Sequence, residues 1–253
     1  MSRNQSVISR VSATAATLLL IASCAGGAEP DTPSSVETAG SQEPQVHILA
    51  ASDCPELTCH GSLQIGVYRS TILDPAMSFE ITEPGWTWDY SAGSFRLLAD
   101  PAHEDLYSPD GIYFLRDPAI ASQDCEETEE PGVGRSVQDL VAWLEAAEGL
   151  AVTDPTPVTV GGLDGMVLDL QLDPGWSRPC FWSGRLPAVP LIFRGTAVGG
   201  YNWAILPDMS MRWYILDSTD GVLVIDIDDG PGGLSHDDLL ETGTEIIDSL
   251  AFA

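Results

Sequence analysis

Met166-Val167-Leu168-Asp169-Leu170-Gln171-Leu172 places four apolar side chains at alternate positions, with Val167, Asp169 and Gln171 between them. Side chains along a strand alternate between two faces, so the run predicts a strand buried on one face and mostly solvated on the other, as in an antiparallel sheet. Short runs rich in β-branched or aromatic residues recur at 63–69, 77–82, 95–99, 112–116, 157–160, 191–193, 212–217 and 222–227. Gly161-Gly162 with Asp164-Gly165, and Ser218-Thr219-Asp220-Gly221, each separate two such runs and predict hairpin loops.

Two segments carry helical periodicity instead. Ser136 and Asp139 form a capping-box-like pair ahead of Val137, Leu140, Val141 and Leu144, which predicts a helix over 137–148 closed by Gly149. Ser235 precedes an acidic first turn and the apolar positions Leu239, Leu240, Ile246, Ile247 and Leu250, which predicts a second helix over 236–250. Strands outnumber helices and do not alternate with them. The fold class is therefore α+β, a mainly antiparallel sheet with two packed helices. The run Phe79-Glu80-Ile81-Thr82-Glu83-Pro84-Gly85-Trp86, with the late strand pair and the closing Ile246-Ile247-Asp248-Ser249-Leu250, resembles the Mog1/PsbP-like fold. That resemblance implies protein-binding or accessory roles more than catalysis.

The N-terminus reads differently. Arg3 and Arg10 precede the uncharged, largely apolar run 11–23, which is shorter than a bilayer-spanning helix and ends in Ile21-Ala22-Ser23-Cys24. The tetrapeptide resembles the lipobox of bacterial lipoproteins, with Ile21 where leucine is commoner. The resemblance implies a signal peptide over 1–23 cleaved before Cys24, a diacylglyceryl thioether on Cys24, and a home on the extracytoplasmic face of the bacterial cell membrane. Residues 24–45 are rich in Gly, Pro, Ser and acid and hold no base, so they read as a disordered tether. Its root-mean-square reach is roughly 25 Å, several times the ~8 Å Debye length. Residues 46–253 are then one globular domain.

The chain has 10 Lys and Arg against 38 Asp and Glu, a formal charge of -28, and none of the basic residues is lysine. Residues 1–23 hold two arginines and no acid, so cleavage moves the charge to -30. Binding phosphates needs clustered bases, which excludes nucleic acid as a partner.

Four cysteines besides Cys24 remain, and in an exported chain disulfides are the default. Proximity and the turn-forming Pro55 favour Cys54 with Cys59, leaving Cys125 with Cys180. On loop entropy the short bridge is worth about 2 kcal/mol and the long one about 4. Cys54-Pro-Glu-Leu-Thr-Cys59-His60 also has a superficial likeness to a c-type haem attachment site, though four residues separate the cysteines. A zinc site of Cys54, Cys59 and His60 is a further alternative.

Trp86, Trp88 and Tyr90 stand two apart, so an extended backbone puts all three rings on one side. Such a row either lines the core or forms a ligand platform. Trp86, directly after a Pro-Gly turn, is assigned to the core, while Trp88 and Tyr90 are the candidate ligand surface. Trp176, Trp182, Trp203 and Trp213 lie among Gly, Pro and Arg and are expected to supply at least one pocket wall. Asp226-Ile227-Asp228-Asp229-Gly230 has carboxylates at alternate positions, but Gly230 and Pro231 break the EF-hand pattern and the acids read as solvated. There is no G-x-S-x-G and no H-E-x-x-H, and His47, His60, His103 and His236 are scattered. No catalytic residue, metal ligand or cofactor is assigned. The expected function is a non-enzymatic, lipid-anchored envelope module that binds a protein or glycan. The alternatives are an exported carboxylate-dependent hydrolase and a solute or lipid carrier.

Overall fold

The structure is a computed structural model and describes residues 46–50, 58–91, 94–99, 110–193, 203–219, 221–230 and 234–253. Sixteen strands and two helices follow one another along it. The strands are β1 (Val46–Leu49), β2 (Thr58–Ser62), β3 (Gly66–Ser70), β4 (Met77–Ile81), β5 (Thr87–Ser91), β6 (Ser94–Leu98), β7 (Gly111–Arg116) and β8 (Ala119–Ile120). After α1 (Val137–Ala146) come β9 (Leu150–Val152), β10 (Thr156–Val160), β11 (Leu163–Leu172), β12 (Val189–Phe193), β13 (Trp203–Ile205), β14 (Ser210–Ser218) and β15 (Gly221–Asp228). The chain closes with α2 (His236–Asp248) and β16 (Ala251–Phe252).

A nine-stranded sheet runs β10-β11-β14-β15-β7-β6-β5-β2, with β9 added to β11, and each of its pairs is antiparallel. A four-stranded sheet, β1-β3-β4-β16, contains the parallel pair β1–β3, and a three-stranded sheet runs β13-β12-β8. The α+β expectation holds at this level. Among the described residues no helix is long and apolar enough to cross a membrane.

The centre of the large sheet, β14, β15 and β7, is buried on both faces. On one face Leu223, Ile225 and Ile227 of β15 and Ile112 and Phe114 of β7 pack with Phe79 of β4 and with Leu239, Ile246 and Ile247 of α2. On the other face Val222 and Val224 of β15 and Trp213 and Ile215 of β14 pack with α1 and with Val189 and Leu191 of β12. Each such side chain contributes about 1.5–3 kcal/mol by leaving water. The second core corrects the reading of 166–172: the even positions do face a core, but Val167 packs against the opposite one rather than meeting solvent.

Boundaries shift for local reasons. The first strand expected at 63–69 begins at Gly66, because the Leu63 N–H donates to Trp86 O at 2.8 Å outside any ladder. The capping box of Ser136 and Asp139 forms as expected, but α1 ends at Ala146 with Ala147 as C-cap, and Gly149 lies beyond it at φ 85°. Ser235 caps α2, which stops at Asp248, since the Ser249 hydroxyl turns back onto Ile246 O at 2.6 Å. The loop at Gly161-Gly162 joins β10 to β11 with φ of 58° and 90°, whereas Asp164 and Gly165 belong to the strand.

Trp86 is 5% exposed within the first core. Trp86→Ala is expected to cost about 3–5 kcal/mol, read as a sharp fall in the thermal midpoint. A variant melting within a degree or two of wild type would refute the core assignment.

Candidate functional site

Cys24 and Cys54 lie outside the described residues. Cys59, on β2, is disulfide-bonded, so its sulfur is not available for zinc or a haem thioether, and the neighbouring His60 is exposed. Cys125 and Cys180 form the expected disulfide with Cα atoms 5.4 Å apart. Trp88 and Tyr90 are half-buried and pack against the same core as Trp86, so the three rings do share one side. Trp88 stacks on Phe95 with centroids 6.3 Å apart and covers Gly61, where a Cβ would meet its Nε1 at 2.8 Å.

The acidic run at the end of β15 is not solvated. Asp226 and Asp228 are fully buried, Asp229 is 7% exposed, and Asp110 at the head of β7 is 1% exposed. Residues 226 and 228 share the phase of Val222 and Val224, so the face that buries those valines buries the acids too. The Trp203 indole N–H donates to Asp226 Oδ2 at 2.7 Å, and Trp203 meets Tyr113 edge-on at 4.5 Å. Trp213 stands across the ladder from Asp226, its N–H facing the carboxyl without hydrogen-bond geometry. Burial, and then the charge of Asp228, push the Asp226 carboxyl well above the ordinary carboxylate range.

Asp110 and Asp229 act as backbone ties. Asp110 accepts the Gly230 N–H at 2.7 Å and the Leu234 N–H, which fixes both ends of the link into α2. Asp229 accepts the Ser210 N–H, and its Oδ2 lies 3.5 Å from Nδ1 of His236, the first residue of α2. Burial pushes the Asp229 carboxyl up to about 6, opposed by the Ser210 N–H and aided by the Asp110 charge. Burial also holds the His236 imidazole below its ordinary value. Among the described residues no three His, Cys, Asp or Glu side chains converge as a metal site.

Ser210 also lines a cleft of about 490 Å³. Its walls come from the end of β11 and the turn beyond it (Leu172, Asp173, Trp176) and from the turn between β13 and β14 (Pro207, Asp208, Met209). Trp176 supplies the pocket wall expected of the later tryptophans. Its indole N–H is pinned on Ala188 O at 3.0 Å, and Gly149 leaves room for its ring, since a Cβ there would lie 2.4 Å from Cδ2.

Beside this cleft, the segment from Trp176 to Ala188 folds into a locked loop. The Cys125–Cys180 bridge anchors it, Pro179 bridges Pro187, and the Ala188 N–H donates to Arg178 O at 3.1 Å. The Ser183 hydroxyl accepts from Cys180 N at 3.2 Å and lies 2.9 Å from Cys180 O and 2.5 Å from Leu186 O. On this scaffold Phe181 is 77% exposed and Leu186 52%. The sequence offered a trace of this site: Arg178-Pro-Cys-Phe-Trp-Ser-Gly-Arg-Leu-Pro sets three large apolar residues among turn formers next to a cysteine. The buried acids had a trace as well, being in phase with Val222 and Val224.

The Asp229 tie has a pH consequence. Its folded pKa of about 6 lies above the 3.8 of an ordinary aspartate, so its contribution is present below 3.8 and is lost as pH rises through 6. The loss reaches up to about 3 kcal/mol. His236 works in the opposite sense, because the unfolded chain takes up its proton first as pH falls below 6.5. Asp229→Asn keeps an acceptor for the Ser210 N–H and removes the titration. Denaturant unfolding from pH 7.5 to pH 4 should therefore show wild type gaining stability relative to the variant, and a pH-independent difference would refute the assignment. Comparison of the chain with known proteins finds no matching family model, curated protein or solved structure, so the functional reading rests on this geometry.

Proposed function

We propose that the chain is a lipid-anchored, extracytoplasmic, non-enzymatic module that binds another protein of the cell envelope through the stapled loop and the cleft beside it. The observation that carries this reading is Phe181, 77% exposed on a loop held by a disulfide and by the Ser183 hydroxyl. Holding a large aromatic ring in water costs free energy and adds nothing to the fold. A rigid exposed aromatic beside a groove is the form that binding hot spots take, because little entropy remains to be lost on docking. Trp88 and Tyr90 take second place because their rings are packed against the core. The likeness of 79–86 and the closing helix to the Mog1/PsbP-like fold points the same way, towards binding.

The hydrolase alternative finds less support. Carboxylate catalysis uses one acid with a raised pKa in contact with substrate. Among the described residues the acids with that property are Asp226 and Asp229, and neither lines the cleft. The anchor is Cys24, and the tether of residues 24–45 lets the module reach partners roughly 25 Å from its point of attachment.

Two measurements test the reading. A photo-crosslinking residue placed at Leu186 in the native host should capture an envelope protein. Phe181→Ser should abolish the adduct while leaving stability within about 0.5 kcal/mol of wild type; an undiminished adduct would overturn the binding role of the loop. For the anchor, mass spectrometry of the mature protein should find an acylated N-terminal cysteine that Cys24→Ala eliminates. An unmodified N-terminus elsewhere would refute lipidation.

A further inference from the structure

We propose that the cleft receives a short basic segment of the partner, an arginine or lysine whose charged head lies by Asp173 and Asp208. The aliphatic stem and an adjoining apolar residue then lie on Trp176, Pro207 and Met209. This rests on the protein-binding reading above and names the chemistry the partner must present.

The first argument is charge. Asp173 and Asp208 line the cleft, and no Lys, Arg or His is among the described residues of its walls, in a chain of formal charge -28. An anionic ligand is repelled over the whole approach, and a wholly apolar one desolvates two carboxylates without replacing their water. A cation with an apolar flank does neither. Arginine and lysine carry that combination in one side chain, since their stems cover apolar surface while the head stays polar. A guanidinium over the Trp176 indole gains a cation–π contribution as well.

The second argument is size and rigidity. About 490 Å³ exceeds what one side chain fills and lies within the ~300–1,000 Å³ of ligand clefts. The walls are already fixed. Asp173 Oδ1 accepts the Gly175 N–H at 2.6 Å, Gln171 Nε2 donates to Ser210 Oγ at 3.1 Å, and Trp176 is pinned on Ala188 O. Asp208 sits at φ 65° in a turn that the Met209 N–H closes onto Leu206 O at 3.3 Å. Continuity supplies the third argument. Pro187 lines the cleft and belongs to the loop that carries Phe181 and Leu186, so one partner segment can fill the cleft and rest on the loop.

The test uses the full chain in non-ionic detergent, with calorimetric titration of acetyl-Arg-Leu-Arg-Leu-amide, its Glu-Leu-Glu-Leu counterpart and free arginine. The basic peptide should bind, the acidic one should not, and added salt should weaken the interaction. Asp208→Asn should reduce affinity by about fivefold. Asn adopts positive φ as readily as Asp, so this variant keeps the turn, and an unchanged thermal midpoint verifies that. Asp173→Asn should act in the same direction. Equal binding of the acidic peptide, equal binding of free arginine, no binding of the basic peptide, or indifference to both substitutions would each overturn the proposal. If any of these occurs while Phe181→Ser still removes the crosslink, the cleft assignment falls and the loop's binding role stands. Loss of the basic-peptide signal in Asp208→Asn with no effect of Phe181→Ser would instead uphold the cleft and remove the loop.

Discussion

The fold depends on the ladder of β7, β15 and β14 being covered on both faces. β15 sends Leu223, Ile225 and Ile227 into one core and Val222 and Val224 into the other, and both helices dock against what it organises. A strand in that position has no solvated face. Every polar residue in its span must be matched by a partner or held neutral, because a buried unmatched charge costs several kcal/mol. Asp226 and Asp228 fall in that span, and Asp229 and Asp110 sit at its edge.

The molecule accommodates three of these acids in two ways. Asp226 receives an indole N–H in an aromatic enclosure, where burial raises its pKa. Asp110 and Asp229 take backbone N–H groups that no helix or ladder satisfies, at Gly230, Leu234 and Ser210. A carboxylate that accepts backbone donors does the work of a cap. The ties join the end of β15 to the start of α2 and to the turn that walls the cleft. Asp110 and Asp229 thus connect the sheet to α2 and to a wall of the cleft, although neither lines the cleft itself.

Much of the fold was legible because its signals are local. The alternation from Met166 to Leu172 reports a strand whatever lies across from it, and Ser136 with Asp139 reports a helix start through hydrogen bonds within four residues. What was not legible depends on the second face. Val167 and the acids at 226 and 228 read as solvated only while the sheet is taken to have one core, and nothing within a single strand says how many layers cover it. The short strands β8 and β16 escaped for a related reason, since two residues carry no periodicity and exist only through their partners. In the stapled loop the disulfide between Cys125 and Cys180 was readable from the cysteine count and the expected export. Its consequence, an exposed Phe181, required the loop.

That loop also explains why a covalent bond is placed there. The apolar cluster beneath it consists of Cys125, Cys180 and Ala188, with Trp182 and Leu206 packed alongside, far less than either main core provides. So small a cluster contributes little to holding the loop. The bridge spans 55 residues, and on loop entropy its contribution is about 4 kcal/mol. Enlarging the core would be the other remedy, but it would draw Phe181 and Leu186 inward and erase the surface. A disulfide stabilises the segment while leaving its large apolar side chains in water.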